Sequence, residues 1–183
     1  FFQENDAAAK IFIKKNQKLW KQNDRFIQKD LAKTLKRISK YGRDGFYSGP
    51  IAYLIVKEMK KGNGLISIDD LKNYSSKYRE PIIGSYKGYK IVSMGPPSSG
   101  GALLINMLNM MENYSEDSLQ WNSSDYVHIM TEIQRRAYSD RAKHMGDPDY
   151  WEVPLGMFKS KKYAKVRSDD IDMNLATPSN TVY

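Results

Sequence analysis

Two hydroxyls and two glycines stand side by side at Ser98-Ser99-Gly100-Gly101, directly after Pro96-Pro97. Exposed amides at a helix start attract anions, which would make the stretch a binding loop, whereas a Ser-Ser-Gly-Gly run is weak evidence of catalysis by itself. The same residue types also build an ordinary strand-to-helix corner. Prolines fix φ, serines cap the incoming helix, and glycines let another backbone or a ligand approach closely. The corner carries more weight, because the G-x-x-x-x-G-K-[ST] and G-x-G-x-x-G phosphate-binding patterns are both missing.

A second candidate is Asp140-Arg141, near the end of a long helical stretch and followed by the acidic turn Gly146-Asp147-Pro148-Asp149. It reads as a structural ion pair ahead of a ligand site, since opposite charges at helix ends commonly serve packing and orientation. Histidine occurs only as His128 and His144, too few to suggest a metal site without distant carboxylates. His128 precedes Glu132 by one helical turn, which suggests a side-chain pair. Cysteine is absent, excluding disulfides, thiol nucleophiles and cysteine-bound metals.

The elements that must position these residues are mostly helical. Leu31, Leu35 and Ile38 recur at helical spacing between Gln28 and Tyr41, with Gly42 as a stop and the lysines at 29, 33, 36 and 40, with Arg37, on the expected solvent face. A turn over 45–50 leads to a second helix marked by Ile51, Ile55 and Met59. Ser67-Ile68-Asp69-Asp70 has the form of a capping box. Pro81 to Tyr86 and Tyr89 to Met94 are strand-like and flank Lys87-Gly88, as one bent strand or a tight hairpin. Ala102 to Met111 reads as a helix buried on most faces.

From Ser124 to Lys143 runs the longest helical signal, with Met130, Ile133 and Ala137 inward and Glu132, Arg135 and Arg136 outward. An amphipathic segment over 160–166 then gives way to a polar tail. Near the start, Lys10 to Lys21 suggests a strand hairpin or edge, with Asn16-Gln17 between its apolar residues. No repeat or long linker divides the chain, so one compact α+β unit is expected, with so few strands that their partners lie in another chain or segment.

Composition fits a folded domain: 183 residues, 40% hydrophobic, with no run of eighteen apolar residues to span a membrane. The start at Phe1-Phe2-Gln3, without methionine, suggests a chain cut from a longer one. A net charge of +8 admits a basic module that binds an acidic polymer, with steep salt dependence. The placement of the lysines on helix faces, with no nucleic-acid reading motif, favours solvated surface instead.

The order of motifs resembles gamma-glutamyltransferases, enzymes that cleave the γ-glutamyl amide of glutathione. The stretches that carry the likeness are Gln28 to Leu35, Gly45-Phe46-Tyr47-Ser48-Gly49, Gly64 to Leu71 and Tyr86-Lys87-Gly88-Tyr89. Pro96 to Gly101, Leu108 to Glu112, Ala137-Tyr138-Ser139-Asp140-Arg141 and Gly146-Asp147-Pro148-Asp149 continue it in the same order.

This resemblance implies the helix-rich part of an N-terminal-nucleophile hydrolase αββα sandwich, in the C-terminal half of the large subunit of a precursor that cuts itself in two. A threonine opening the small subunit would attack the γ-carbonyl, its own α-amine serving as base. That threonine is not in this sequence, for Thr181 is followed by Val182-Tyr183 rather than by the family's Thr-His or Ser-His. The chain alone is therefore expected to be inactive and to contribute no catalytic residue. Its implied partners are the small subunit, the upstream part of the large subunit, a γ-glutamyl donor such as glutathione, and water or an amino-acid or peptide acceptor. No cofactor, metal or nucleic acid is implied, and the location that the resemblance implies is periplasmic or secreted. Ser98, Ser99, Gly100 and Gly101 would lie near the substrate. Gly95 departs from the family, which usually has another proline there.

Overall fold

The computed structural model describes residues 2–14, 19–115 and 119–182. Their contacts gather into two compact units, Phe1–Ser76 and Lys77–Tyr183, where the lack of a long linker had suggested one.

The first unit is helical. Helix α1 spans Asp6–Phe12, capped by the Asn5 side chain, which accepts from the Ala8 amide at 3.0 Å. Ile11 and Phe12 thus belong to a helix and not to the expected strand hairpin or edge, whose Asn16-Gln17 pair lies outside the described residues. Helix α2 covers Lys29–Tyr41 and ends at Gly42, as its spacing predicts. The region expected as a turn after it holds the short helix α3, Asp44–Tyr47, and α4 follows over Gly49–Lys61 with proline in its first turn. Helix α5, Ile68–Asn73, opens with the predicted capping box, both reciprocal bonds of Ser67 and Asp70 being made.

Arg43 closes the other end of α5, donating to the carbonyls of Lys72 and Tyr74 at 2.6 Å each. Ala52 and Leu71 are buried. The apolar stripe of α2 is not: Leu31 is 47% and Leu35 56% exposed, while Arg37, expected in solvent, is half-buried. A stripe with helical period that stays open within its own unit is unsatisfied burial, of the kind another element normally covers.

The second unit holds the core. Strands β1, Ile82–Tyr86, and β2, Tyr89–Ser93, pair antiparallel with Tyr86 opposite Tyr89, which decides for the tight hairpin. Lys87 and Gly88 form its two-residue turn with φ of +46° and +82°, the left-handed geometry that matches strand twist. A two-stranded hairpin is marginal alone, and this one rests on helix α6, Gly100–Met111. Helix α6 is central, touching α7 (Ser124–His144), α8 (Leu155–Lys159) and α9 (Lys161–Ser168) as well as both strands. Ala102, Leu103, Ile105 and Met110 meet Ile129, Ile133, Ala137, Phe158 and Ala164 in one cluster. Among the described residues, no helix is long and apolar enough to cross a membrane.

Candidate functional site

Strand β2 delivers the chain into the corner at Gly95 and Pro96, both buried, and the Pro96-Pro97 peptide is cis. Gly101 lets α6 lie against the hairpin: a Cβ there would stand 2.3 Å from the Met94 carbonyl oxygen and 2.6 Å from Ile82 Cγ2. Close packing of backbone on backbone is therefore the work of this glycine.

The serines behave differently from each other and from the capping expected of them. Ser99 holds the cap position of α6 but its side chain caps no helix amide. Its hydroxyl instead accepts from Arg141 Nε at 2.9 Å. Ser98 accepts from the Gly100 amide at 3.3 Å, a weak turn contact. Ser99 is thus held by a guanidinium, which cannot take a proton, so this pair lacks the base that a serine nucleophile requires.

Arg141 does not form the structural pair with its neighbour Asp140. The two side chains leave α7 in different directions, as adjacent helical positions must. Asp140, buried, pairs with Arg167 of α9 at 3.0 Å. Tyr163 lies beside that carboxylate, and burial together with the adjacent negative charge pushes its hydroxyl up to about 12.

Past α7, the turn at 146–149 folds back so that Pro97, Ser99, Arg141, Met145, Gly146 and Asp147 line one cavity of about 330 Å³. Two stretches singled out separately in the sequence, the Pro-Ser-Gly corner and the Asp-Arg to Gly-Asp-Pro-Asp run, thus converge on one concave surface. Asp149 anchors that turn, receiving both Arg79 terminal nitrogens at 2.9 Å and Lys77 Nζ at 2.7 Å. The bonds from Arg79 and then Lys77 hold its carboxyl down at about 2. Among the described residues no group of acidic or histidine side chains is placed to hold a metal ion.

Composition and order of the motifs find their counterpart in known proteins. A family model described as gamma-glutamyltranspeptidase matches residues 1–183. The chain belongs to the gamma-glutamyltranspeptidase family. Its fold is the α+β, helix-rich part of the N-terminal-nucleophile hydrolase architecture of that family. The glutathione hydrolase proenzyme of Escherichia coli K12 is 43% identical over 179 residues, 98% of this chain and 30% of that protein. An acylase ACY 1 proenzyme of Pseudomonas sp. SE83 is 40% identical over 152 residues, 83% of this chain and 27% of the acylase. The crystal structure of Helicobacter pylori gamma-glutamyltranspeptidase superposes with a TM-score of 0.84 at 46% identity, covering all of this chain and 52% of that one. This gamma-glutamyltranspeptidase segment therefore spans about 30% of the E. coli relative's length.

Sequence reasoning missed Glu132 and Arg136. Both were expected to face away from the core, yet each is 1% exposed, and they pair at 2.6 Å. His128 does not pair with Glu132 but bonds through Nε2 to the Asp172 carbonyl at 2.8 Å. The one available signal was the polar stretch after Ser168, whose donors and acceptors need partners.

Proposed function

We propose that this chain is the C-terminal half of the large subunit of a gamma-glutamyltranspeptidase precursor, both compact units included, and that it serves as scaffold for chemistry carried by a second subunit. The whole protein would cleave γ-glutamyl amides such as glutathione and pass the glutamyl group to water or an acceptor amine, after cutting itself into two subunits. The observation that carries this is the family match along residues 1–183 combined with a serine, Ser99, whose hydroxyl is held by the Arg141 guanidinium and not by a base. The corner at Ser98 to Gly101 would border the substrate rather than react with it, with Arg141 fixing Ser99. The small subunit and the upstream part of the large subunit are the proposed partners, and the periplasm or the exterior the proposed location.

Expression of the full-length precursor tests this. Two fragments should appear on a denaturing gel, and the mature protein should release chromophore from a γ-glutamyl anilide. A folded precursor that neither cuts itself nor turns over the anilide would refute the reading. Replacing Ser98 and Ser99 by alanine in that precursor tests the border role: a raised KM supports it, and unchanged kinetics would leave the corner purely structural.

A second reading, an enzyme acting on poly-γ-glutamate or another acyl amide, is favoured by the likeness to the acylase proenzyme. A shared scaffold does not define the acyl group. Side-by-side kcat/KM values for glutathione, poly-γ-glutamate and a non-glutamyl amide decide between them.

A further inference from the structure

Away from the corner, the second unit buries a set of charges that grips one stretch of chain. After α9 the described residues from Asp169 to Val182 form no further α-helix or strand, with a single 3-10 turn at Ser179–Thr181, and from Asp172 on they run along α7 in the same direction as the helix. The Asp172 carbonyl meets His128, the Thr177 amide donates to Glu132 Oε1 at 3.0 Å, Arg135 donates to the Ser179 hydroxyl, and Ser139 donates to the Val182 carbonyl at 3.0 Å. Each step along the tail thus finds the next turn or so of the helix.

At the centre stands the Glu132 and Arg136 pair. Arg136 also donates through Nε to Asp170 at 2.9 Å and reaches the Thr177 hydroxyl at 3.5 Å. Burying two charges is costly, and apolar residues of similar volume often serve stability as well or better. What the pair supplies that apolar residues could not is direction. Glu132 gives one oxygen to Arg136 and the other to a backbone amide, so it fixes the position of the chain itself.

We propose that Glu132 and Arg136 are positioning residues that set the register of residues 170–182 along α7, and through it the placement of the peptide bond at which the precursor cuts itself. This rests on the reading that the nucleophile follows this segment in the precursor. In that cut the threonine hydroxyl adds to the carbonyl carbon of the preceding residue, and the peptide nitrogen leaves as an amine with the hydroxyl's proton. Water then splits the resulting ester into a carboxylate and the free hydroxyl. The clasp takes no part in bond-making. It decides how often the hydroxyl and carbonyl are in reach, and misplacement by about 1 Å can cost about 100-fold in such a step.

The test follows the full-length precursor and its Glu132→Gln variant by the rate of fragment appearance, by hydrogen exchange at the amides of 170–182, and by thermal unfolding. Expected for the variant are faster tail exchange and self-cleavage slowed about tenfold or more, with kcat of the fully matured enzyme on a γ-glutamyl anilide within about twofold of wild type. Self-cleavage at the wild-type rate despite faster tail exchange overturns the proposal. So does slowed cleavage with tail exchange unchanged. Should Glu132→Gln fail to fold, Thr177→Pro removes the amide donor from outside α7 and is read in the same way. A wild-type precursor that never cuts itself defeats the proposed function, whereas a wild type that matures alongside an equally fast variant defeats only the clasp.

Discussion

Arg141 Nε donates to the Ser99 hydroxyl at 2.9 Å across 42 positions of sequence, tying the start of α6 to the last turn of α7. The bond joins two motifs that are far apart in the chain, and it uses the hydroxyl for orientation. A hydrogen bond to a charged donor is stronger than a neutral one, so the link is worth more than the turn contact made by Ser98.

The two serines should therefore respond unequally to substitution. Ser99→Ala in the full-length protein is expected to cost about 1 kcal/mol, and Ser98→Ala about half of that or less. Denaturant midpoints at constant m-value measure both. Equal losses would mean that Arg141 finds another partner as readily as it found Ser99.

Gly101 and Gly156 offer a contrast of the same substitution in two surroundings. A Cβ at Gly101 collides with the Met94 carbonyl and Ile82, whereas one at Gly156, in α8, meets nothing within 4 Å. Gly101→Ala should lose about 1–3 kcal/mol by forcing α6 off the hairpin. Gly156→Ala should be neutral or gain up to about 1 kcal/mol, since alanine restricts the unfolded chain. Thermal unfolding of the two variants beside wild type reads the difference in sign.

Local signals carried the elements well and their partners poorly. The stop at Gly42, the capping box at Ser67 and the apolar run from Ala102 each depend on residues within one or two turns, and each stands where the spacing put it. Lys87-Gly88 left two outcomes open because a bend and a hairpin use the same turn residues, and only cross-strand pairing separates them. Glu132 and Arg136 were misplaced for a different reason. Their burial is produced by a tail about 40 positions away, and no periodicity within α7 can report it. Asp140 likewise ignores its neighbour for Arg167 on another helix. The corner's residue types were legible as a corner, but the convergence of Ser99 with Arg141 and Asp147 depends on tertiary packing.

Phe158 tests whether α8 is a core element or a cover. Its side chain is fully buried in the cluster built around α6 and α7. Phe158→Ala should cost about 3–5 kcal/mol through lost burial and the cavity left behind. Phe158→Leu, which keeps most of the volume, should cost less than half of that, and equal losses for the two variants would point to a role other than packing.

Glu132 gives the acid side of the stability curve a specific shape. Burial alone would raise its carboxyl, but the bonds from Thr177 and Arg136 outweigh burial and bring it from its ordinary 4.5 down to about 2. A group lowered on folding contributes stability that is fully present above its unfolded value and is lost as pH falls through the folded one. The contribution of Glu132 should therefore be complete at neutral pH and fade between about 4.5 and 2. Glu132→Gln keeps the shape and one acceptor but cannot titrate. The free-energy gap between wild type and this variant should be constant above about pH 5 and narrow steadily below it, because protonated wild type comes to resemble the variant. Denaturant titrations at half-unit pH intervals supply the gap directly. A gap that stays constant down to the lowest pH at which wild type remains folded would show that the carboxylate charge is not what holds the tail to α7, and would leave that task to the neighbouring bonds of Arg135 and Ser139.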